Sequence, residues 1–99
     1  MKDNALYRIL DLVEEIQKVE KMIEIHSDSD SSLMISQYKS QKLKLTNLLV
    51  KELLQNSDNS SKVIYLLKLF IDKFYKREIS AYNSASDEIS FKRIEEAFL

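Results

Sequence analysis

The sequence predicts an all-α protein: an antiparallel, coiled-coil-like helical hairpin followed by a third helix and a short C-terminal helix. Three observations lead to this fold class. The 99-residue chain contains no Gly and no Pro, the residues that tight turns between strands need. Apolar residues recur at spacings of three and four along several stretches. Short Ser/Asp/Asn segments separate those stretches. We expect a single helical domain over residues 1–99, which is long enough for a modest core.

The first helix is predicted over residues 4–26. Its apolar positions alternate spacings of four and three without interruption, which is typical of a coiled-coil seam. Asp3 or Asn4 suits the N-cap. The seam consists of Ala5, Ile9, Leu12, Ile16, Val19, Ile23 and His26.

The segment SDSDSS at residues 27–32 ends this helix without a glycine and supplies caps for the next one. Because the connector is short, residues 1–55 are expected to form an antiparallel hairpin. The second helix, 32–55, has a main apolar stripe that Gln41 and Lys42 interrupt. The stripe consists of Met34, Ile35, Tyr38, Leu45, Leu48, Leu49 and Leu53.

The third helix is predicted over 61–82, with Ser60 or Ser61 as its N-cap. Its core face is expected to contain Val63, Ile64, Leu67, Phe70, Ile71, Phe74 and Tyr75. Polar residues near 83–86 predict a break, and a capping-box pattern there predicts a last helix over 87–99. That helix is expected to bury Ile94 and Phe98, with Phe91 or Ile89 beside them.

The residue types present argue against an enzyme. The chain has no Cys and a single histidine, His26, which stands at a helix end where the helix dipole favours a cation. The Asp28–Asp30 connector lacks the Gly and the bidentate Glu of a calcium loop. The glutamates of the first helix lack the Glu-x-x-His motif of a carboxylate metal bundle. We therefore predict no catalytic residue, no cofactor and no metal ion.

Charge is segregated along the chain despite a net charge of −1. Residues 1–30 contain four basic and eight acidic residues, whereas residues 31–79 contain nine basic and four acidic ones. This asymmetry gives the first two helices a reason to pair. It also leaves open a basic surface formed by Lys39, Lys42, Lys44, Lys51, Lys68, Lys73, Lys76 and Arg77, with Tyr65 and Tyr75 available for stacking.

Six apolar residues lie off the predicted core stripes: Leu43, Val50, Leu54, Tyr65, Leu66 and Leu69. The first three form a second line on what the pattern places as the opposite side of the second helix. Soluble monomers rarely leave such patches exposed, so either the C-terminal tail covers them or another chain does. We predict a non-catalytic interaction or oligomerisation module that binds itself, another protein, or both.

The alternative function is a small regulator that contacts nucleic acid through its basic second and third helices. The overall pI near 5.8 and the lack of a recognition motif make nucleic acid the less favoured partner. Acidic residues follow the first apolar positions too early for a signal peptide, and no apolar run is long enough to cross a bilayer. The sequence therefore predicts a cytoplasmic protein that does not enter a membrane.

Overall fold

The computed structural model describes residues 3–26, 32–80 and 89–99. Within these ranges every regular element is an α-helix, which confirms the predicted all-α class for the described part of the chain. Residues 27–31 of the predicted connector and the predicted break near 83–86 lie outside the described residues. The helices are α1 (Asp3–His26), α2 (Ser32–Asn56), α3 (Ser60–Phe74), α4 (Lys76–Ser80) and α5 (Ile89–Ala97).

The chain divides into two compact units, Met1–Leu69 and Phe70–Leu99. The first unit contains the hairpin and the start of α3, and the second contains the end of α3 together with α4 and α5. No helix among the described residues is long and apolar enough to cross a membrane.

Helices α1 and α2 pack against each other in antiparallel orientation, as predicted. Successive contacts along the pair involve higher residue numbers on α1 and lower residue numbers on α2. They therefore define both the antiparallel orientation and the register of the two helices. At 1.5 Å per residue the pairing extends for roughly 30 Å. The contacts that define it are Arg8 with Glu52, Glu20 with Lys42, and His26 with Tyr38.

The core of the hairpin follows the predicted seam of α1. Its buried residues are Ala5, Ile9, Ile16, Val19 and Ile23, opposed on α2 by Leu45, Leu49 and Leu53. Two residues of the predicted α2 stripe, Met34 and Leu48, are exposed instead. Leu48 precedes the buried Leu49 by one position, which rotates it about 100° out of the interface.

Asn59, rather than the predicted Ser60 or Ser61, caps the start of α3. Its side-chain Oδ1 accepts a hydrogen bond of 3.2 Å from the backbone N–H of Lys62. Its carbonyl oxygen accepts another of 3.2 Å from the N–H of Val63. Asparagine is among the strongest N-cap residues because its short side chain presents an oxygen to the free amides of the first turn.

The segment predicted as one helix over 61–82 contains two helices up to residue 80, with Tyr75 between them. Hydrogen bonding continues through the interruption, because the N–H of Tyr75 donates to the carbonyl of Ile71 at 2.9 Å and the N–H of Ile79 donates to that of Tyr75 at 3.1 Å. The interruption is therefore a local distortion of the helical path.

The buried face of α3 is narrower than predicted. Val63, Phe70 and Phe74 are buried, whereas Ile64 (67% exposed) and Ile71 are not. Each of those two isoleucines follows a buried residue by one position and is rotated about 100° from it. The rings of Phe70 and Phe74 lie 5.1 Å apart, centre to centre, on the buried face.

Helix α5 ends in a tight turn, in which the N–H groups of Phe98 and Leu99 donate to the carbonyls of Glu95 and Glu96. The prediction that this helix buries Ile94 and Phe98 beside Phe91 is wrong. These three side chains are between 51% and 85% exposed, because they line an open groove among the described residues. The side chain of Ile89 lies outside the described residues.

Candidate interaction surface

A charged pair lies inside the hairpin interface. The Nζ of Lys42 is 2.9 Å from the Oε2 of Glu20, and the two side chains are 1% and 17% exposed. Lys42 therefore belongs to the buried stripe that it was predicted to interrupt. An ammonium can be buried in this way only where an opposite charge compensates for the water it has lost.

A second cross-helix pair, between Arg8 and Glu52, lies near the opposite end of the hairpin. The Arg8 Nε is 3.3 Å from the Glu52 Oε1, and the two side chains are 55% and 24% exposed. Asn56 Nδ2 also donates to the Glu52 carboxylate at 2.9 Å. Only the Glu20–Lys42 pair has the expected polarity, with the acid on α1 and the base on α2; in the Arg8–Glu52 pair the signs are reversed. Because the second pair is solvated, its contribution is about 0–1 kcal/mol.

The six candidate interface residues are placed by the structure as follows. Leu43, Leu54, Tyr65, Leu66 and Leu69 are between 43% and 61% exposed, and Val50 is half-buried. Each of the three on α2 follows a buried residue by one position. They consequently lie about 100° from the buried stripe, beside it and not on the opposite side of the helix.

The candidate residues of α3 fall into two sets. Leu66 precedes Leu67 and Leu69 precedes the buried Phe70, so both lie on one flank of the buried face, while Tyr65 lies farther round the helix. With Ile64 and Ile71 also exposed, apolar side chains cover most of the circumference of α3. A soluble monomer rarely leaves this much apolar surface contiguous and uncovered.

The predicted basic surface lacks one of its members. Lys42 is buried against Glu20, whereas the other lysines of that set and Arg77 are exposed. Lys73 has a contact of its own, with its Nζ 5.5 Å from the ring centre of Phe74. The remaining cations are distributed over α2, α3 and α4.

His26 takes part in packing at the end of α1. Its ring stacks on that of Tyr38 of α2, with centres 5.8 Å apart and planes 19° apart. Among the described residues, no three His, Cys, Asp or Glu side chains form a group that could hold a metal ion.

The unit Phe70–Leu99 contains an open apolar groove of about 610 Å³, which was not predicted from the sequence. Its lining residues are Ile71, Tyr75, Glu78, Ile79, Phe91, Ile94, Glu95 and Phe98. Two series of apolar residues in the sequence indicate this groove. Ile71, Tyr75 and Ile79 recur at spacings of four across α3 and α4, and Phe91, Ile94 and Phe98 recur at spacings of three and four on α5. Of these residues, Ile71, Tyr75, Ile94 and Phe98 were predicted to lie in the core.

Comparison with protein-family models, with curated proteins and with solved structures gives no match to this chain. The described part of the molecule is thus defined by its own geometry: an antiparallel helical hairpin with a buried ion pair, followed by shorter helices with exposed apolar faces.

Proposed function

We propose that this protein is a non-catalytic helical interaction module that associates with itself or with another protein through exposed apolar residues of α2 and α3. The observation that supports the proposal is the exposure of Leu43, Leu54, Tyr65, Leu66 and Leu69, all in the unit Met1–Leu69. Helix-against-helix packing is the contact that such side chains make best.

The expected strength follows from the area that these side chains offer. Complete burial of a Leu or Ile side chain contributes about 1.5–3 kcal/mol, so each half-exposed residue contributes about 1 kcal/mol when a partner covers it. Five such residues contribute about 5 kcal/mol. Because association also costs translational and rotational freedom, the contact is expected to be reversible and sensitive to any single charged substitution.

The test is the molar mass by light scattering after size exclusion, at two protein concentrations a hundredfold apart. Leu54→Glu and Leu69→Glu place a carboxylate in the proposed contact. Leu10→Glu is the matched control, because Leu10 is equally exposed but lies on α1. We expect a mass of two or more chains for the unmodified protein and the control, and a lower mass for the two interface variants.

One result would narrow the proposal and another would contradict it. A mass of one chain at both concentrations would refute self-association, and capture from the source cell would then test binding to another protein. An unchanged mass and unchanged partner binding in both interface variants would show that the contact lies elsewhere.

The alternative, contact with nucleic acid, is supported by the exposure of Lys68, Lys73 and Lys76 on α3 and α4. It is weakened by the burial of Lys42. Phosphate contacts make affinity fall steeply with salt, so titration of generic DNA and RNA at low and high salt separates the two functions. Absence of binding at low salt would eliminate the alternative.

A further inference from the structure

The groove in the unit Phe70–Leu99 has two apolar walls, and the charged residues that line it are acidic. Ile71 and Ile79 contribute to one wall, and Phe91, Ile94 and Phe98 to the other, while both charged lining residues are glutamates. The volume of the groove, about 610 Å³, and its open shape suit the apolar stripe of a helix. A helix with apolar residues at helical spacing and a flanking cation complements such a groove.

Helix α5 itself has both features. Its apolar residues are spaced by three and four, and its charges are ordered, with Lys92 and Arg93 before Ile94 and Glu95 and Glu96 after it. When two copies of this helix lie antiparallel and cross at Ile94, the basic half of each lies beside the acidic half of the other. Lys92 and Glu95 lie on the same flank of the apolar stripe, so each Lys92 comes within one residue of the level of the partner's Glu95.

We propose that the groove receives α5 of a second copy of this chain, in an antiparallel pair related by a twofold axis near Ile94. Such a contact is self-complementary, as a twofold interface requires, because the same patch supplies both the groove and the helix that enters it. Phe91 and Phe98 of each copy lose their exposure to water in the pair. The two symmetry-related contacts between Lys92 and Glu95 fix the orientation of the helices.

This inference uses residues different from those of the proposed function, and either can fail alone. The α2 and α3 residues of the proposed contact lie in Met1–Leu69, and the groove lies in Phe70–Leu99. Leu69→Glu should leave the α5 contact intact. If the α2 and α3 face also binds a second copy, the two contacts together produce assemblies larger than a dimer.

The experiment uses two full-length charge-reversal variants, Lys92→Glu and Glu95→Lys, each labelled with a donor or an acceptor fluorophore at the N-terminal amine. In Lys92→Glu, the side chains at positions 92 and 95 are both negative. In Glu95→Lys, the side chains at both positions are positive. Each variant alone is expected to associate about tenfold more weakly than the unmodified chain, because two attractive contacts become repulsive. An equimolar mixture is expected to restore energy transfer, because each negative helix meets a positive one.

The mixture distinguishes contacts between chains from effects within one helix. An interaction between Lys92 and Glu95 of the same helix is lost in both variants and cannot be restored by mixing. Lys21→Glu is the control reversal, at an exposed position of α1 that belongs to neither proposed contact, and it should leave the association unchanged. Circular dichroism of each variant tests whether its helix content is retained.

Restored energy transfer in the mixture, reduced again by Ile94→Asp in both chains, would establish the contact. With Leu69→Glu added to every chain to remove the α2 and α3 contact, energy transfer that remains low in the mixture, or that the single variants keep at the level of the chain without an α5 reversal, would overturn it. A drop in mass for Leu69→Glu with no effect of the α5 variants would refute this inference while leaving the proposed function standing.

Discussion

The buried pair of Lys42 and Glu20 predicts an asymmetric response to the loss of either partner. Lys42→Met removes the ammonium and leaves a carboxylate that is 17% exposed and can partly rehydrate. Glu20→Met removes the carboxylate and leaves an ammonium at 1% exposure. Loss of one partner of a buried pair costs about 3–5 kcal/mol. We expect Glu20→Met to lower the free energy of unfolding by an amount in that range, and Lys42→Met to lower it by about 2 kcal/mol.

The double variant tests the physical reason directly. With both charges replaced by methionine, the interface loses the attraction but no longer has to dehydrate two ions. Replacement of a buried pair by apolar residues is often neutral or stabilising, so we expect a free energy of unfolding within about 1 kcal/mol of the unmodified protein. The two single changes are then strongly non-additive.

Urea unfolding followed by circular dichroism at 222 nm measures these free energies. Glu15→Met and Lys44→Met are controls for the same substitutions at exposed positions, where changes are expected within about 0.5 kcal/mol. If both single variants at the pair cost less than 1 kcal/mol and add in the double variant, the ion pair is not buried in solution and the reasoning is wrong.

Further predictions concern the helix ends and the buried face of α3, all measured by urea unfolding. Asn59→Ala removes the N-cap and is expected to cost about 1 kcal/mol, whereas Ser61→Ala should cost less than about 0.5 kcal/mol; the reverse order would reassign the cap. Val63→Ala is expected to cost about 1–3 kcal/mol because the side chain is 3% exposed. Ile64→Ala, at an exposed position, should lower the free energy of unfolding much less. Equal losses in the two variants would contradict the narrow buried face of α3. Tyr38→Leu removes the ring that stacks on His26 and is expected to lower the free energy of unfolding by about 1 kcal/mol. An unchanged free energy of unfolding would mean that the stack does not stabilise the fold.

The hairpin could be predicted from the sequence because several independent signals agree. The seam of α1 repeats without interruption, the connector is short, and the charges of the two helices are opposite. The burial of Lys42 was not predicted, because a charged residue within an apolar stripe usually indicates a solvent-exposed position. The available signal was Glu20, which lies within about one turn of Lys42 when the two helices are folded back antiparallel about their connector.

The buried face of α3 and the burial of α5 side chains were predicted less well for a different reason. Apolar residues cover so much of the circumference of α3 that periodicity cannot select the buried side, and Ile64 and Ile71 were assigned to it wrongly. Residues of α5 such as Phe98 were predicted to be buried because they are apolar. Burial, however, depends on neighbours that a sequence pattern does not supply, and the same exposed residues form the groove described above.

The pair of Glu20 and Lys42 also determines which helices can associate. Two copies of α1 paired in parallel would bring two Glu20 carboxylates together. Two copies of α2 would bury lysine ammoniums in a seam where Glu52 is the sole acidic residue of that helix. Each helix thus disfavours its own copy and favours the other. Hairpins are therefore expected to form first within each chain, and assembly then proceeds between hairpins that are already closed.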